Sequence, residues 1–378
     1  MNDLAGKDSK KECFNDFTVS LVRAINNQGF QTPYTETIYS GLRRRGVEVN
    51  IVQFVGRDFD YSEFMGNRYI THKMHFRRIE YSLMLGTFLP KYSKIRSDIV
   101  HLMEPNLNSL VELNSRTIVT IHDTYFLESQ EASLPKKIFA LYNKQMYSAS
   151  KKAKLILTVS DFSRREIIRK LGIYENKIKT IYNIIDVNFF IPLKSTFRLE
   201  WNIKDSDILI SNVSGPGPRK NLRMLIYALS KLPSNYKLVH VGRLSEEDNS
   251  TIAKLGLSSR FYNVEMASNA LLRDIYNASD IYVHPSKYEG FGRPIVEAMA
   301  CGIYTIGANA TAIPEIISNT GALFDPDNLD ELVDLIKRFE RNIEEFKYAR
   351  EEARKRAMLF SDDSIIPKLL EVYREVMK

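Results

Sequence analysis

Two glutamates, Glu289 and Glu297, lie on either side of a loop that contains Gly290 and Gly292. Glycine lets the backbone approach a ligand closely, and Pro294, directly after the loop, is suited to the first turn of a helix. The start of a helix offers N–H groups and the positive end of its dipole to a phosphate. Carboxylates beside such an anion site can accept hydrogen bonds from sugar hydroxyls. These residue types at this spacing are therefore suited to holding a sugar nucleotide.

A strand and a helix must position these side chains. Residues 280–284 form an apolar run that predicts a buried parallel strand. Residues 294–300 predict a helix, and Gly302 can cap its end. Glu289 then lies in the loop, and Glu297 lies about one turn inside the helix.

Length and composition indicate a globular protein of two domains. The chain has 378 residues, of which 44% are hydrophobic and 26% charged. No apolar run is long enough to span a membrane and the N-terminus does not resemble a signal peptide, so we expect a cytoplasmic protein. The two cysteines, Cys13 and Cys301, are too few for a disulfide framework or a metal cluster. Cys301 ends an apolar helix face, which predicts a buried packing thiol.

The formal net charge of +7 favours an anionic partner. That partner would be a nucleic acid, a phosphorylated small molecule or an anionic membrane surface. The alternative is that the protein is merely basic and that its charge has no specific partner. No nucleic-acid-binding motif accompanies the charge, so we expect no nucleic-acid partner.

Apolar strand patterns alternate with amphipathic helical ones, which predicts an α/β protein with parallel sheets. In the first half, strands are predicted at 17–23, 47–55, 98–103, 117–122, 155–160 and 178–182, and helices at 33–45, 77–89, 134–150 and 161–171. After a break near 186–192, strands are predicted at 207–213, 236–241, 261–266, 280–284, 304–306 and 322–324, and helices at 221–231, 246–255, 270–277, 294–300, 313–318, 328–340, 343–358 and 364–376.

The segment 284–302 resembles the E-x7-E signature of the family 4 retaining glycosyltransferases, which have the GT-B fold. Three further blocks, at 218–222, 312–326 and 183–192, resemble elements of that family in the same order, while 121–123 and 158–163 match it more thinly. The resemblance implies two Rossmann-like doubly wound domains that face each other across a cleft. It implies an acceptor-side domain at 1–185, a nucleotide-sugar-binding domain at 186–360, and a C-terminal helix at 361–378 that returns to the first domain.

The resemblance also implies roles for the residues of the signature. Glu297 would bind the ribose hydroxyls, and Glu289 would lie near the transferred sugar; the alternatives are a solvated helix-start acid and an ordinary loop acid. The backbone N–H groups of Phe291, Gly292 and Arg293, after Gly290, would face sugar and phosphates. The Arg293 side chain would add a phosphate contact or point to solvent. Met266 would border the nucleoside base.

Arg219 and Lys220 match the family's phosphate-binding pair, and they would neutralise the diphosphate. Cations at a helix start oppose the dipole, which argues against a merely solvated pair. Many members carry a further arginine where this chain has Ser214 and Gly215. The phosphate clamp would therefore rest on Arg219, Lys220 and the backbone of 290–293.

The acceptor side of the site is predicted in the first domain. His122 and Asp123 follow a strand and match a place where the family has a histidine at the sugar or the reacting centre; a structural histidine is the alternative. Gly29 follows the first strand and would let a loop approach phosphate or acceptor, or would simply make a turn.

The resemblance implies transfer of a sugar from a nucleoside diphosphate to a glycan or lipid-linked hydroxyl, by front-face displacement after domain closure. With the diphosphate neutralised by protein cations, neither a metal nor another cofactor is required. A non-catalytic sugar-nucleotide-binding protein, or a phosphorylase or epimerase on the same fold, are the alternatives. The basic and aromatic stretch 68–96 would contact an anionic membrane, or would pack as an ordinary helix on the first sheet.

Overall fold

The computed structural model describes residues 17–25, 32–55, 69–73, 95–112, 114–127, 144–341 and 343–378. The described residues divide into two compact units. Unit 1 comprises Met1–Thr158, Ile167–Ile181 and Ile366–Lys378, and unit 2 comprises Val159–Glu166 and Tyr182–Ile365, in each case over the described residues.

Over its described residues, unit 1 contains a parallel sheet of seven strands. They are β1 (Thr18–Ile25), β2 (Glu48–Val55), β3 (Tyr69–Lys73), β4 (Ile99–Leu102), β5 (Thr117–Ile121), β6 (Leu155–Thr158) and β7 (Ile178–Thr180), in the order β3-β2-β1-β4-β5-β6-β7. The strand order reverses between β1 and β4, as in doubly wound folds. Every residue of β4, β5 and β6 is buried, which is expected of parallel strands covered on both faces.

Unit 2 contains a parallel sheet of six strands. They are β8 (Ile208–Val213), β9 (Tyr236–Val241), β10 (Phe261–Val264), β11 (Ile281–His284), β12 (Tyr304–Ala308) and β13 (Ala322–Phe324), in the order β10-β9-β8-β11-β12-β13. Here the order reverses between β8 and β11. Ligands of open parallel sheets bind beyond the carboxyl ends of the strands at such a reversal. The loops after β8 and β11 are therefore the expected place for a site.

Helices connect the strands of both sheets. They are α1 (Thr32–Arg44), α2 (Asp161–Leu171), α3 (Phe197–Glu200), α4 (Leu222–Lys231), α5 (Glu246–Lys254), α6 (Asn269–Ala278), α7 (Arg293–Ala300), α8 (Ile313–Ile317), α9 (Leu329–Arg341), α10 (Ile343–Ala357) and α11 (Asp362–Met377). Residues 144–149 are also helical. Pro294 lies in the first turn of α7, and Gly302, with φ +74°, follows its end, as predicted.

The two doubly wound sheets confirm the predicted fold class of two Rossmann-like domains. Among the strands and α-helices that the structure describes, the strand β3 and the short helix α3 were not predicted. The predicted helix at 77–89 and most of the one at 134–150 lie outside the described residues.

Candidate active site

The buried carboxylate of Glu289 is the centre of an ionic cluster in unit 2. Lys220 Nζ donates to Glu289 Oε1 at 2.6 Å, and His284 Nε2 lies 2.9 Å from the same oxygen. Arg219 Nη1 lies 3.9 Å from Oε2 and donates to the carbonyl of Tyr288 at 3.2 Å. The loop after β8, which carries the two cations, is thus joined to the loop after β11, which carries the acid.

Tyr282 and His284 both lie on β11. The Tyr282 hydroxyl contacts the His284 ring and so helps to orient it toward Glu289. The Tyr282 hydroxyl lies 2.8 Å from His284 Nδ1. Because a carboxylate only accepts hydrogen bonds, Nε2 must carry the proton that faces Glu289. The strand therefore delivers one defined N–H to the carboxylate.

These contacts keep Glu289 ionised although its carboxyl is buried. Burial disfavours the charged form, but the hydrogen bond from His284 and the charge and hydrogen bond of Lys220 outweigh it. The net result is a pKa of Glu289 well below its usual range. With Arg219 and Lys220 each positive and Glu289 negative, the cluster keeps an excess positive charge that an anion can neutralise.

Glu297 lies on α7 in a different environment. It is buried, Tyr276 of α6 donates to its Oε2 at 3.2 Å, and Arg293 Nε lies 3.9 Å from Oε1. Burial raises the pKa of Glu297, and Arg293 and the Tyr276 hydroxyl offset only part of that effect. A carboxylate with so little charge compensation can accept hydrogen bonds from ligand hydroxyls.

The loop between the two glutamates includes a backbone conformation that favours glycine. Gly292 has φ +97°, and a Cβ there would lie 2.8 Å from Ile295 Cδ1. Gly292 occupies the position before α7, where it offers no side chain to cap the helix. Phe291 is buried and its ring contacts those of Tyr182 and Phe360. The loop is thus held by packing, while the start of α7 receives no side-chain cap.

Arg293 and Met266 do not join the Glu289 cluster. Arg293 Nη1 donates to the carbonyl of Ile184 at 3.3 Å, so its side chain has a protein partner and does not simply point to solvent. Met266, just after β10, has 84% of its surface exposed. Gly290 accepts a hydrogen bond from Ser163 at its carbonyl, at 3.4 Å.

The acceptor-side candidates lie in unit 1. His122 Nε2 lies 3.2 Å from the carbonyl of Met103, to which it must donate, and its ring packs edge-on against Tyr34 at 4.6 Å between centroids. Asp123 Oδ1 accepts from the backbone N–H of Tyr125 at 2.9 Å. Both residues follow the carboxyl end of β5. Gly29 lies outside the described residues.

Four residues at the site were missed by the sequence reasoning: Tyr276, Tyr282, His284 and Thr311. The tyrosines look like ordinary core aromatics in the sequence, and their hydroxyl partners come from other elements. His284 ends the strand that precedes the signature, and this position at the end of the strand could have indicated that it belongs to the site. Thr311 Oγ1 accepts from the N–H of Glu289 at 3.0 Å, a contact that no local pattern indicates.

Cys301 is a buried thiol at the end of α7, as predicted. Over the part of the chain that the structure describes, no three His, Cys, Asp or Glu side chains converge in a way that could hold a metal ion. Among the described helices, none is both long and apolar enough to cross a membrane.

Two family models match the chain. The one described as Glycosyl transferases group 1 matches residues 194–356, and the one described as Glycosyltransferase Family 4 matches residues 31–189. Together they account for most of the sequence, and they meet close to the break predicted at 186–192.

Two relatives from Escherichia coli are mannosyltransferases. The chain is 31% identical over 231 residues to O-antigen chain mannosyltransferase B, a match that covers 57% of this chain and 59% of that protein. It is 28% identical over 230 residues to the serotype-specific mannosyltransferase WbdA, which covers 57% of this chain and 28% of that protein. The chain thus matches less than two thirds of the length of either relative.

Solved structures share the fold. Sucrose-phosphate synthase from Thermosynechococcus elongatus superposes with a TM-score of 0.79 at 17% identity, over 95% of this chain and 98% of that one. Anabaena HepE, solved in complex with UDP and glucose, gives 0.77 at 18% identity over 95% and 100%. With both family models, the two doubly wound units and these neighbours in agreement, the chain belongs to the family 4 glycosyltransferases and has their GT-B fold.

Proposed function

We propose that this chain is a retaining glycosyltransferase that moves a sugar from a nucleoside diphosphate to a hydroxyl of a glycan or lipid-linked acceptor. The observation that carries the proposal is the cluster of Arg219, Lys220 and Glu289 beside the uncapped start of α7. Its excess positive charge is suited to a diphosphate, and its carboxylates are suited to sugar hydroxyls. The mannosyltransferase relatives favour mannose as the transferred sugar.

Charge stabilisation is the main task of the site in this mechanism. The acceptor oxygen attacks the anomeric carbon on the face from which the diphosphate departs, so that the C–O bond to phosphate breaks as the new one forms. The departing phosphate oxygen takes the acceptor proton. Negative charge grows on the diphosphate, where Arg219, Lys220 and the N–H groups of 291–293 stabilise it. No divalent metal is required for this step.

The other candidate residues have positioning and binding roles. Glu297 accepts from the ribose hydroxyls, Glu289 orients the transferred sugar, and Met266 borders the base. His122 and Asp123 act on the acceptor side, with Gly29 near the phosphate or acceptor.

A donor panel with a matched pair of lysine variants tests the proposal. Mannose and glucose conjugates of UDP, GDP and ADP are incubated with a glycan acceptor, and nucleoside diphosphate release is measured with and without excess EDTA. We expect turnover that EDTA does not abolish, and an NMR coupling pattern showing that the product keeps the donor's anomeric configuration. Inversion, or complete and metal-restored loss in EDTA, would contradict the mechanism.

Lys220→Met removes the charge at the cluster while keeping the length of the side chain. We expect kcat/KM to fall about 10²–10³-fold, as for loss of one group that stabilises transition-state charge. Lys231→Met is the control, because Lys231 pairs with Asp330 on the exposed side of α4, and such a pair contributes little. An equal loss in both variants would place Lys220 outside the site.

Membrane contact by the stretch 68–96 stays a prediction, because most of that stretch lies outside the described residues. Flotation with anionic and neutral vesicles tests it, and binding without dependence on anionic lipid would contradict it.

A further inference from the structure

Thr311, in the turn between β12 and α8, holds the backbone of Glu289. The N–H of Glu289 donates to Thr311 Oγ1 at 3.0 Å, and the N–H of Ala312 donates to the carbonyl of Glu289 at 3.4 Å. Thr311 has φ +56°. This conformation is strained for a β-branched residue, and such strain persists where surrounding contacts impose it. The strained residue Thr311 is thus hydrogen-bonded to the loop 288–292, which carries Glu289.

Glu315, one turn later in α8, binds the start of another helix. Its Oε1 accepts from the N–H of Asp161 at 2.7 Å, and its Oε2 accepts from the N–H of Phe162 at 3.0 Å. These are the first residues of α2, and both belong to unit 2. A carboxylate at this place satisfies N–H groups that have no partner within the helix, and it complements the dipole.

The start of α2 packs in turn against the loop 288–292. Ser163 Oγ donates to the carbonyl of Gly290 at 3.4 Å, and the Phe162 ring contacts the Tyr288 ring edge-on at 5.8 Å. The residues on either side of Glu289 therefore contact the helix start that Glu315 fixes.

A second route from Glu315 runs through Tyr182. Burial and, to a smaller extent, the nearby Glu315 carboxylate raise the pKa of the Tyr182 hydroxyl, and the Tyr182 ring contacts the Phe291 ring at 6.2 Å between centroids. Both routes start from the same carboxylate and end on the same loop.

The segment 311–315 is itself fixed to the sheet. A Cβ at Gly307 of β12 would lie 2.4 Å from Ile317 Cδ1 and 2.6 Å from Ile313 Cγ2, so α8 packs directly on the strand. Arg356 donates to the carbonyls of Glu315 at 2.6 Å and Ile316 at 2.7 Å. This segment can therefore act as a rigid support.

We infer that Thr311 and Glu315 are positioning residues for the donor site, which hold the loop 288–292 in the geometry that places Glu289 beside Lys220. Neither side chain needs to touch the donor. The inference rests on the proposed function, because it assigns these residues to the binding of its nucleoside diphosphate.

Three substitutions of Thr311 separate positioning from stability. Thr311→Gly removes the hydroxyl and also the strain, since glycine adopts positive φ freely. We expect its midpoint of thermal unfolding to equal or exceed that of wild type, while its Kd for UDP, GDP or ADP, whichever wild type binds, rises on the order of tenfold. Thr311→Ser keeps the hydroxyl and should bind within about twofold of wild type, whereas Thr311→Ala should bind as weakly as the glycine variant.

Glu315→Gln weakens the hold on α2, because an amide has one acceptor oxygen and no charge. We expect a rise in donor KM and in Kd on the order of tenfold, and no further rise when Ser163→Ala is added, since both changes release the same contact. Glu331→Gln is the control: Glu331 Oε2 accepts from the N–H of Asp325 at 2.8 Å, away from the loop.

The outcomes distinguish this inference from the function on which it rests. If wild type binds none of UDP, GDP and ADP, the proposed function fails and the inference fails with it. If wild type binds but Thr311→Gly and Glu315→Gln bind within about twofold of it, the inference alone is overturned. Weak binding by a Thr311→Gly variant that is as stable as wild type supports it.

Discussion

Glu289 and Glu297 are both buried, yet their surroundings shift their pKa values in opposite directions. Glu289 has Lys220 and His284 as partners, and these outweigh the cost of burial. Glu297 has Tyr276 and a more distant Arg293, and burial prevails. Glu289 therefore contributes stability above its unfolded pKa that is lost only as pH falls through its lowered folded pKa. The charge of Glu289 is thus compensated by its partners, whereas that of Glu297 is compensated only in part.

Substitution of Glu297 should separate stability from binding. A carboxyl with a raised folded pKa loses stability as pH rises from its ordinary pKa of 4.5 through the raised one, so ionised Glu297 is a cost at neutral pH. We expect Glu297→Gln to raise the thermal midpoint of the ligand-free protein by roughly 2–4 °C, the shift that corresponds to about 1 kcal/mol. Nucleotide affinity should fall.

Differential scanning calorimetry at pH 7 and calorimetric titration with nucleotide measure the two effects. Glu371→Gln on the exposed face of α11 is the control and should change neither quantity. A lower midpoint in Glu297→Gln would mean that the ionised carboxylate stabilises the protein.

At the scale of elements, much of the architecture could be predicted from the sequence. The helix predicted at 161–171 and the strands predicted at 236–241 and 322–324 have the bounds found in the structure. These elements have strong apolar periodicity and clear ends. The strand β3 was missed because it is a short edge strand inside a basic and aromatic stretch, where no apolar run marks it.

The site was predictable only in part. The types and spacing of Glu289 and Glu297 indicated an anion and sugar site, and the resemblance to the family added Arg219 and Lys220. Their pairing could not be predicted, because Lys220 and Glu289 meet only when β8 and β11 lie side by side in the sheet. The same limit applies to Glu315, whose partners are backbone N–H groups 154 and 153 residues away.

Close packing of α8 on β12 leads to a prediction at this scale. In Gly307→Ala the new methyl group would meet Ile317 and Ile313 well inside van der Waals distance. We expect the free energy of unfolding to fall by about 1–3 kcal/mol, as for other overpacked cores. Urea unfolding followed by circular dichroism measures this. Gly215→Ala is the control, since a Cβ there meets nothing within 4 Å; equal losses would show that glycine content, and not packing, matters.

At the scale of the whole molecule, the end of the chain completes the first unit. Residues Ile366–Lys378 belong to unit 1. Within them, the hydroxyl of Tyr373, on α11, lies 2.8 Å from His101 Nδ1. His101 Nε2 lies 2.7 Å from Thr120 Oγ1. All three side chains are buried. The final helix therefore supplies a hydrogen-bond partner in the middle of a sheet formed far earlier in the sequence.

Tyr373→Phe should destabilise the protein while keeping the ring. His101 Nδ1 would lose its partner in a buried environment, at a cost of about 1–3 kcal/mol. Urea unfolding at pH 7 measures this against Tyr348→Phe, because Tyr348 is 67% exposed and its hydroxyl can be replaced by water. No difference between the two variants would show that the hydroxyl of Tyr373 contributes nothing.

The same histidine predicts how acid affects the molecule. Burial, and to a smaller extent the nearby His122, lower the pKa of His101 from 6.5 to about 3, and burial lowers that of His240 in unit 2 to about 4. Between these pKa values and 6.5, the unfolded chain binds protons that the folded chain does not. The contribution of these two histidines to the free energy of unfolding is therefore fully present above pH 6.5 and decreases as the pH is lowered.

We therefore expect the urea midpoint of wild type to decrease between pH 7 and pH 5. In His101→Gln the decrease should be smaller, because the imidazole of residue 101 no longer titrates, even though the variant is less stable at pH 7. The quantity compared between wild type and variant is the change in urea midpoint from pH 7 to pH 5. The hydrogen bonds that the variant loses at both pH values cancel in this change. An unchanged difference would mean that His101 is protonated in the folded protein, and that its partners Tyr373 and Thr120 hold a charged ring.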